Sequence, residues 1–181
     1  VEAHPHGLDL GELQPGRLPE RLFTPDSRIR CLPEAIPAEL ERLAEAMAQG
    51  PADGLLLIGR RHLRSNNSWL HNSKRLLKGP ERCTLMIHPA DAAARGIADG
   101  QPVSIGSRVG EVTAPAEVTD AVMPGTVSLP HGWGHGRDGV RLSVARQRPG
   151  VSLNDLTDRR RFDPLSGNAA LNGTPVTVRA A

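Results

Sequence analysis

The stretch Thr84-Leu85-Met86-Ile87-His88-Pro89-Ala90-Asp91-Ala92-Ala93-Ala94-Arg95-Gly96, continued by Asp99-Gly100-Gln101-Pro102-Val103-Ser104-Ile105, sets the architecture of this chain. Thr84–Ile87 reads as a strand that stops at His88-Pro89. Pro89 in the first turn and Gly96 past the last bound a helix of one to two turns. Asp99-Gly100 is a tight-turn pair, and Pro102–Ile105 is the next strand. The same grammar recurs on both sides. Leu55–Ile58 reads as a buried strand, and Val109–Ala116 as the hairpin partner of Pro102–Ile105, prolonged by Glu117-Val118. Met123-Pro124-Gly125 turns the chain into the strand Thr126–Leu129, and Pro175–Val178 is the last strand. Short strands, a small helix and frequent glycine turns predict a mainly β fold closed into a barrel, not a doubly wound sheet.

Upstream the pattern changes. Residues 1 to about 34 are rich in Pro and Gly and read as an extended arm, with phrases such as Leu8-Asp9-Leu10-Gly11 that make no core alone. A helix is expected over Pro37–Gln49, with Leu40, Leu43, Ala44 and Met47 as its apolar stripe and Gly50-Pro51 as its stop. The expected organisation is an extended arm and junction helix over 1–50, then a barrel over 51–181.

The chain has 181 residues, enough for one well-buried domain. Its formal net charge of +2 is too small to attract nucleic acid in bulk, and an aromatic content of 2 % offers no stacking platform for single strands. Nucleic acid is therefore excluded as a partner. The 19 glycines and 16 prolines fall at punctuation points rather than in one tract. Cys31 and Cys83 are far apart and have no CxxC partner, so neither a disulfide framework nor a thiolate zinc site is expected, and a cytoplasmic location is the default. No run approaches the roughly 18–20 apolar residues of a membrane span. A first residue of Val rather than Met is read as the mark of a fragment.

Three polar clusters follow predicted strands. The first is Gly59-Arg60-Arg61-His62-Leu63-Arg64-Ser65-Asn66-Asn67-Ser68-Trp69. Arg presents a fork of donors suited to phosphate, and Asn a paired donor and acceptor suited to a heterocycle edge. An ordinary solvated basic loop has the same composition. The second cluster is Pro130-His131-Gly132-Trp133-Gly134-His135-Gly136, whose glycines allow close backbone approach and whose Trp133 is able to stack on a ring. It reads equally as a mobile glycine-rich loop. Its histidines lack a helix to align them and a third ligand nearby, so no metal site is expected. The third contains Asn154-Asp155-Leu156-Thr157 and Asp163-Pro164-Leu165-Ser166-Gly167-Asn168. Asn154 and Asp155 suit either a helix cap or a hydrogen-bonded heterocycle. The run Arg159–Arg161 beside Asp158 reads as a solvated, partly self-paired patch. No Gly-x-Ser-x-Gly, GxGxxG or Walker A pattern occurs, and no catalytic residue is assigned.

Taken in order, these elements resemble the C-terminal molybdopterin-dinucleotide-binding domain of the dimethyl sulfoxide reductase superfamily, which includes formate dehydrogenases and nitrate reductases. The resemblance rests on Ile58-Gly59-Arg60, the Arg/Asn-rich loop, Cys83–Gly100, Val103–Gly110 and Pro124-Gly125. It continues through Leu129–Gly134, Asn154–Thr157 and Asp163–Gly167, and covers about residues 51–181. It implies a six-stranded double-psi β-barrel with short helices and an extended N-terminal arm. It also implies the ligand, molybdopterin guanine dinucleotide, with Mo or W held by other domains. By this resemblance Gly59 and Arg60 sit at a cofactor contact, Arg64 and Asn66 fall where the family places a polar pair on the pterin or dinucleotide, and Arg61, Ser65 and Asn67 belong to the same loop. His131, Gly132 and Trp133 resemble a second cofactor loop, and Asn154 with Asp155 a third. After the Ser-Gly turn the chain departs from the family pattern, since Asn168 is the one residue there able to serve as a polar contact.

The resemblance further implies a parent oxidoreductase, formate dehydrogenase-like, whose remaining domains are this fragment's partners. A 4Fe-4S cluster is possible only elsewhere in that parent, since two distant cysteines cannot supply four ligands. The fragment alone is expected to be inactive. The rival expectations are a stand-alone double-psi barrel that binds protein partners, and a small barrel enzyme such as a decarboxylase or protease, for which no acid/base dyad is visible.

Overall fold

A computed structural model describes residues 3–18, 20–48 and 54–181. The chain divides into two compact units, Val1–Ala48 and Gln49–Ala181. In the first, α1 spans Ala35–Ala48, beginning two residues before the expected start at Pro37. Its Leu40, Leu43 and Met47 are exposed, and none of the described residues of this unit is buried. The expected stop at Gln49, Gly50 and Pro51 lies outside the described residues.

The second unit contains β1 (Leu55–Arg60), α2 (Lys74–Leu77), β2 (Leu85–Ile87), α3 (Pro89–Ala93), β3 (Pro102–Gly106), β4 (Glu111–Val118), β5 (Thr126–Pro130) and β6 (Thr174–Ala180). The six strands close in the order β1-β5-β2-β4-β3-β6. β1 runs parallel to β5 and β2 parallel to β4, while the other four pairings are antiparallel. This is a six-stranded double-psi β-barrel. Closure removes the sheet edges that would otherwise present unpaired backbone groups.

Alternation decides which side chains fill it. In β6, Thr174, Val176 and Val178 point inward while Pro175, Thr177 and Arg179 face out. Leu55 and Leu57 of β1 meet Leu85 and Ile87 of β2, Val103 and Ile105 of β3, and Val127 and Leu129 of β5, all at 2 % exposure or less. Burying each such side chain contributes about 1.5–3 kcal/mol. α3 caps itself: the His88 ring accepts the Ala90 N–H at 3.2 Å, and Pro89 occupies the first turn. Asp91 reaches from this helix to accept the Gly125 N–H at 2.7 Å, so the turn before β5 is held by α3.

Several boundaries differ from the sequence reading by a residue or more. β4 begins at Glu111 rather than Val109, because residues 107–110 close a turn through Ser107 N–H to the Gly110 carbonyl at 2.8 Å. The stretch Lys74–Lys78, for which no element was expected, contains α2. That short helix buries Leu77 with Cys83 and Trp133 in a second, smaller core. No helix among the described residues is long and apolar enough to cross a membrane.

Candidate functional site

Three loops leave the ends of β1, β5 and the segment after Gly150 and converge. They enclose a cleft of about 290 Å³ lined by Asn67, Ser68, His131, Gly132, Trp133, His135, Ser152, Leu153 and Asn154. The parallel pairing of β1 with β5 explains the meeting of the first two: Arg60 pairs with Pro130, and the His131 N–H continues the ladder to the Arg60 carbonyl at 3.0 Å. Beyond that point the backbones touch. Gly132 has φ +94°, and a Cβ there would overlap the Asn67 carbonyl and lie 3.1 Å from the Ser68 nitrogen. Glycine is required on both counts.

An adjoining cleft of about 510 Å³ shares Asn154 and continues past Asp155, Thr157 and Asp158 to Arg108, Arg159 and Arg160. Arg108 enters from the β3–β4 turn and donates to Asp158 through Nε at 2.7 Å. The Arg160 backbone N–H, first, and then Arg108 hold the Asp158 carboxyl below the usual carboxylate range. Gly110 allows this turn to approach, since a Cβ on it would collide with the Asp155 carbonyl. Asn154 and Asp155 lie in a short 3-10 helix, Leu153–Asp155, with no side-chain cap. The capping role is therefore not the one they perform. Asp155 is paired with Arg137, an exposed contact that raises the guanidinium above its ordinary value.

Within the first loop the predicted residues separate into two groups. Asn67 lines the cleft, and its side chain is bonded to Arg61. Arg64 and Asn66 are exposed, with Asn66 and Asn67 in the left-handed region at φ 41° and 61°. Asn tolerates that region better than most residues. Arg60, Gly59 and Ser65 are turned to other tasks. The Arg60 guanidinium donates to the Thr84 carbonyl and hydroxyl, each at 2.8 Å, and to the Ser128 carbonyl. Thr84 in turn donates to Glu117 at 2.5 Å. Burial pushes the Arg60 pKa down, with Glu117 opposing. Gly59 donates to Asn172 at 2.9 Å, and buried Ser65 donates to the His62 carbonyl at 2.9 Å.

Trp133 is buried, at 7 % exposure, and is one of the residues lining the cleft. It packs on His71, ring centroids 4.1 Å apart. Cys83 lies beneath it, and burial pushes that thiol up to about 11, far from a nucleophile's range. Among the described residues no group of three His, Cys, Asp or Glu side chains is placed to hold a metal ion. Sequence reasoning passed over His71, Ser68, Ser152 and Arg108. The glycines at 110 and 132 were the available signals for the last of these and for the loop contact.

Comparison with known proteins identifies the family. The profile of the Molydopterin dinucleotide binding domain family matches residues 55–175, most of the barrel. An arsenate respiratory reductase molybdopterin-containing subunit from Chrysiogenes arsenatis is 33 % identical over 117 residues, covering 60 % of this chain and 13 % of that protein. A trimethylamine-N-oxide reductase of Haemophilus influenzae is 54 % identical over 52 residues, covering 29 % of this chain and 6 % of that one. The chain thus spans only a small part of the length of these relatives. The solved structure of acetylene hydratase from Pelobacter acetylenicus superposes with a TM-score of 0.56 at 20 % identity, covering 76 % of this chain and 19 % of that chain, a likeness of fold. The chain belongs to the molybdopterin dinucleotide binding domain family.

Proposed function

We propose that this chain clamps the dinucleotide end of the cofactor in the two adjoining clefts, and that the nucleotide is guanine. The observation that carries the reading is the convergence of Asn67-Ser68, His131–Trp133 and Ser152–Asn154 on one cleft, closed by the Gly132–Asn67 contact. Together the clefts offer a concave space of the size that small ligands occupy. Asp155 is acceptor-only, and a guanine edge presents two adjacent N–H donors to such a carboxylate, whereas adenine does not. Its present partner, Arg137, is solvated and free to exchange. Arg61, Arg108, Arg159 and Arg160 supply guanidinium groups for the diphosphate. Arg60, Gly59 and Ser65 belong to the support of the clamp.

In the parent enzyme the molybdenum or tungsten of the cofactor supplies the two-electron or oxygen-atom transfer, and its protein ligand comes from another domain of the same chain. Any 4Fe-4S cluster lies there too, because Cys83 is buried and Cys31 stands alone. Two free cysteines, one of them exposed, support a cytoplasmic location.

Calorimetric titration with guanosine, adenosine and cytidine 5′-diphosphates tests the reading. Guanosine diphosphate is expected to bind at least about tenfold more tightly, a margin that Asp155→Ala removes. Equal affinities would overturn the guanine assignment, and failure of all three together with the intact cofactor would overturn the site.

A further inference from the structure

Behind the cleft wall lies a cluster to which the cofactor reading gives no task. His71 Nδ1 and His135 Nε2 are 2.7 Å apart, and the residues are 3 % and 7 % exposed. The two rings meet edge to face, and Trp133 covers the His71 ring. His71 belongs to the loop that carries Asn67, and His135 to the loop that carries Gly132. The pair therefore joins the same two loops that the Gly132–Asn67 contact joins, from the interior side. His135 and Trp133 line the cleft, whereas His71 does not.

The surroundings decide the charge. His71 shares a small pocket of about 10 Å³ with His62, Ser65, Arg64, Arg82, Trp133 and apolar side chains, and no carboxylate is among them. Cys83, packed with Trp133 and Leu77, stays a thiol. Every charged group facing His71 is thus cationic or able to become so. Desolvation, then His135 and His62, push His71 down to about 4, with the Gly132 carbonyl opposing. Burial lowers His135 as well, and burial followed by Arg82, Arg60 and Arg64 lowers His62. Two neutral rings share one hydrogen bond, one donating and one accepting. A first added proton places an uncompensated charge beside these cations, and a second sets two N–H groups against each other. Neither His71 Nε2 nor Trp133 Nε1 has a hydrogen-bond partner, and the Gly132 carbonyl, the acceptor that favours a charged His71, does too little to offset its burial.

We propose that His71 and His135 are an uncharged positioning pair that holds Trp133 and Gly132 in the cleft wall, so that protonating the pair loosens the wall and weakens nucleotide binding. The second half rests on the dinucleotide reading of the cleft; the first does not. Trp69 and Trp133 are the two tryptophans of the chain, so Trp69→Phe leaves Trp133 as the sole indole reporter. Its fluorescence is expected to change in one step below about pH 5 while far-UV circular dichroism stays constant. Adding His71→Asn and His135→Gln, amides that keep a hydrogen bond without titrating in this range, should abolish the step.

A step centred near the ordinary histidine value of about 6.5, a step that survives both substitutions, or no change before the fold is lost would overturn the pair. Should the substituted chain fail to fold, ring nitrogen shifts of the unsubstituted protein decide. Two neutral rings at pH 6 support the proposal, and a charged ring there overturns it. With guanosine 5′-diphosphate as probe, affinity should fall about tenfold from pH 7 to 4.5, and stay level in the doubly substituted chain. Parallel losses in both chains would overturn the link to binding. Absence of binding at every pH would refute the dinucleotide reading, and the positioning role would then stand or fall on the fluorescence and ring shifts alone.

Discussion

Gly132 and Asn67 meet backbone to backbone, across a gap that admits no Cβ on the glycine. The contact joins a loop from β1 to a loop from β5, and it exists because those strands run parallel with Arg60 opposite Pro130. Neither loop alone forms a wall.

Gly132→Ala should therefore do more than fill space. The methyl group strikes main chain, which cannot rotate away, and φ +94° is costly for alanine. A loss of about 1–3 kcal/mol in urea unfolding is expected, with nucleotide affinity reduced further than stability explains. An unchanged affinity would place the ligand elsewhere.

Adjacent arginines should behave oppositely. Arg60→Ala leaves the carbonyls of Ser128 and Thr84 without their donor and is expected to cost about 3 kcal/mol. Arg61→Ala removes an exposed side chain bonded to Asn67, and should change stability by under about 0.5 kcal/mol while weakening nucleotide binding. Chemical denaturation and calorimetry on both variants separate the roles.

Cysteine labelling should be strongly uneven. Cys31 is exposed, while Cys83 is 2 % exposed, with burial pushing its thiol up to about 11. Iodoacetamide at pH 8 is expected to add one label to the folded chain and two in denaturant, read by intact mass. Rapid double labelling without denaturant would contradict the packing under Trp133.

Stability should fall on acidification through the histidine window. His71 is lowered to about 4 in the folded chain against about 6.5 when unfolded, so between these values the unfolded chain binds the extra proton. Folding stability is then unaffected by this group above about pH 6.5, declines as pH drops toward 4, and levels off below it. Urea midpoints from pH 7 to 4 should show a shallower decline for His71→Asn.

The strands were legible because a barrel strand writes its own burial. Thr174, Val176 and Val178 alternate with Pro175, Thr177 and Arg179, and the structure buries the first set. Pro89 and Gly96 likewise announced α3 through turn chemistry that needs no distant partner. α2 escaped notice because Lys74-Arg75-Leu76-Leu77 has no local periodicity. Its helix is secured by Leu77 packing on Cys83 and Trp133. Composition also marked the three loops at 59–69, 131–133 and 154–155, since Arg, Asn, His and Gly crowd there without apolar spacing.

The direction of each side chain was a different matter. Arg60 and Arg61 are alike in sequence, yet one is drawn inward by strand-end carbonyls and the other left outside. His71 attracted no attention, for its partner stands 64 residues away. The sequence by itself determined the strand set, the turns and the polar loops, because those depend on neighbours within a few residues. Tertiary structure alone decided which loops share a cleft, which arginine supports it and which histidines pair, because those depend on strand register and on the burial that barrel closure creates.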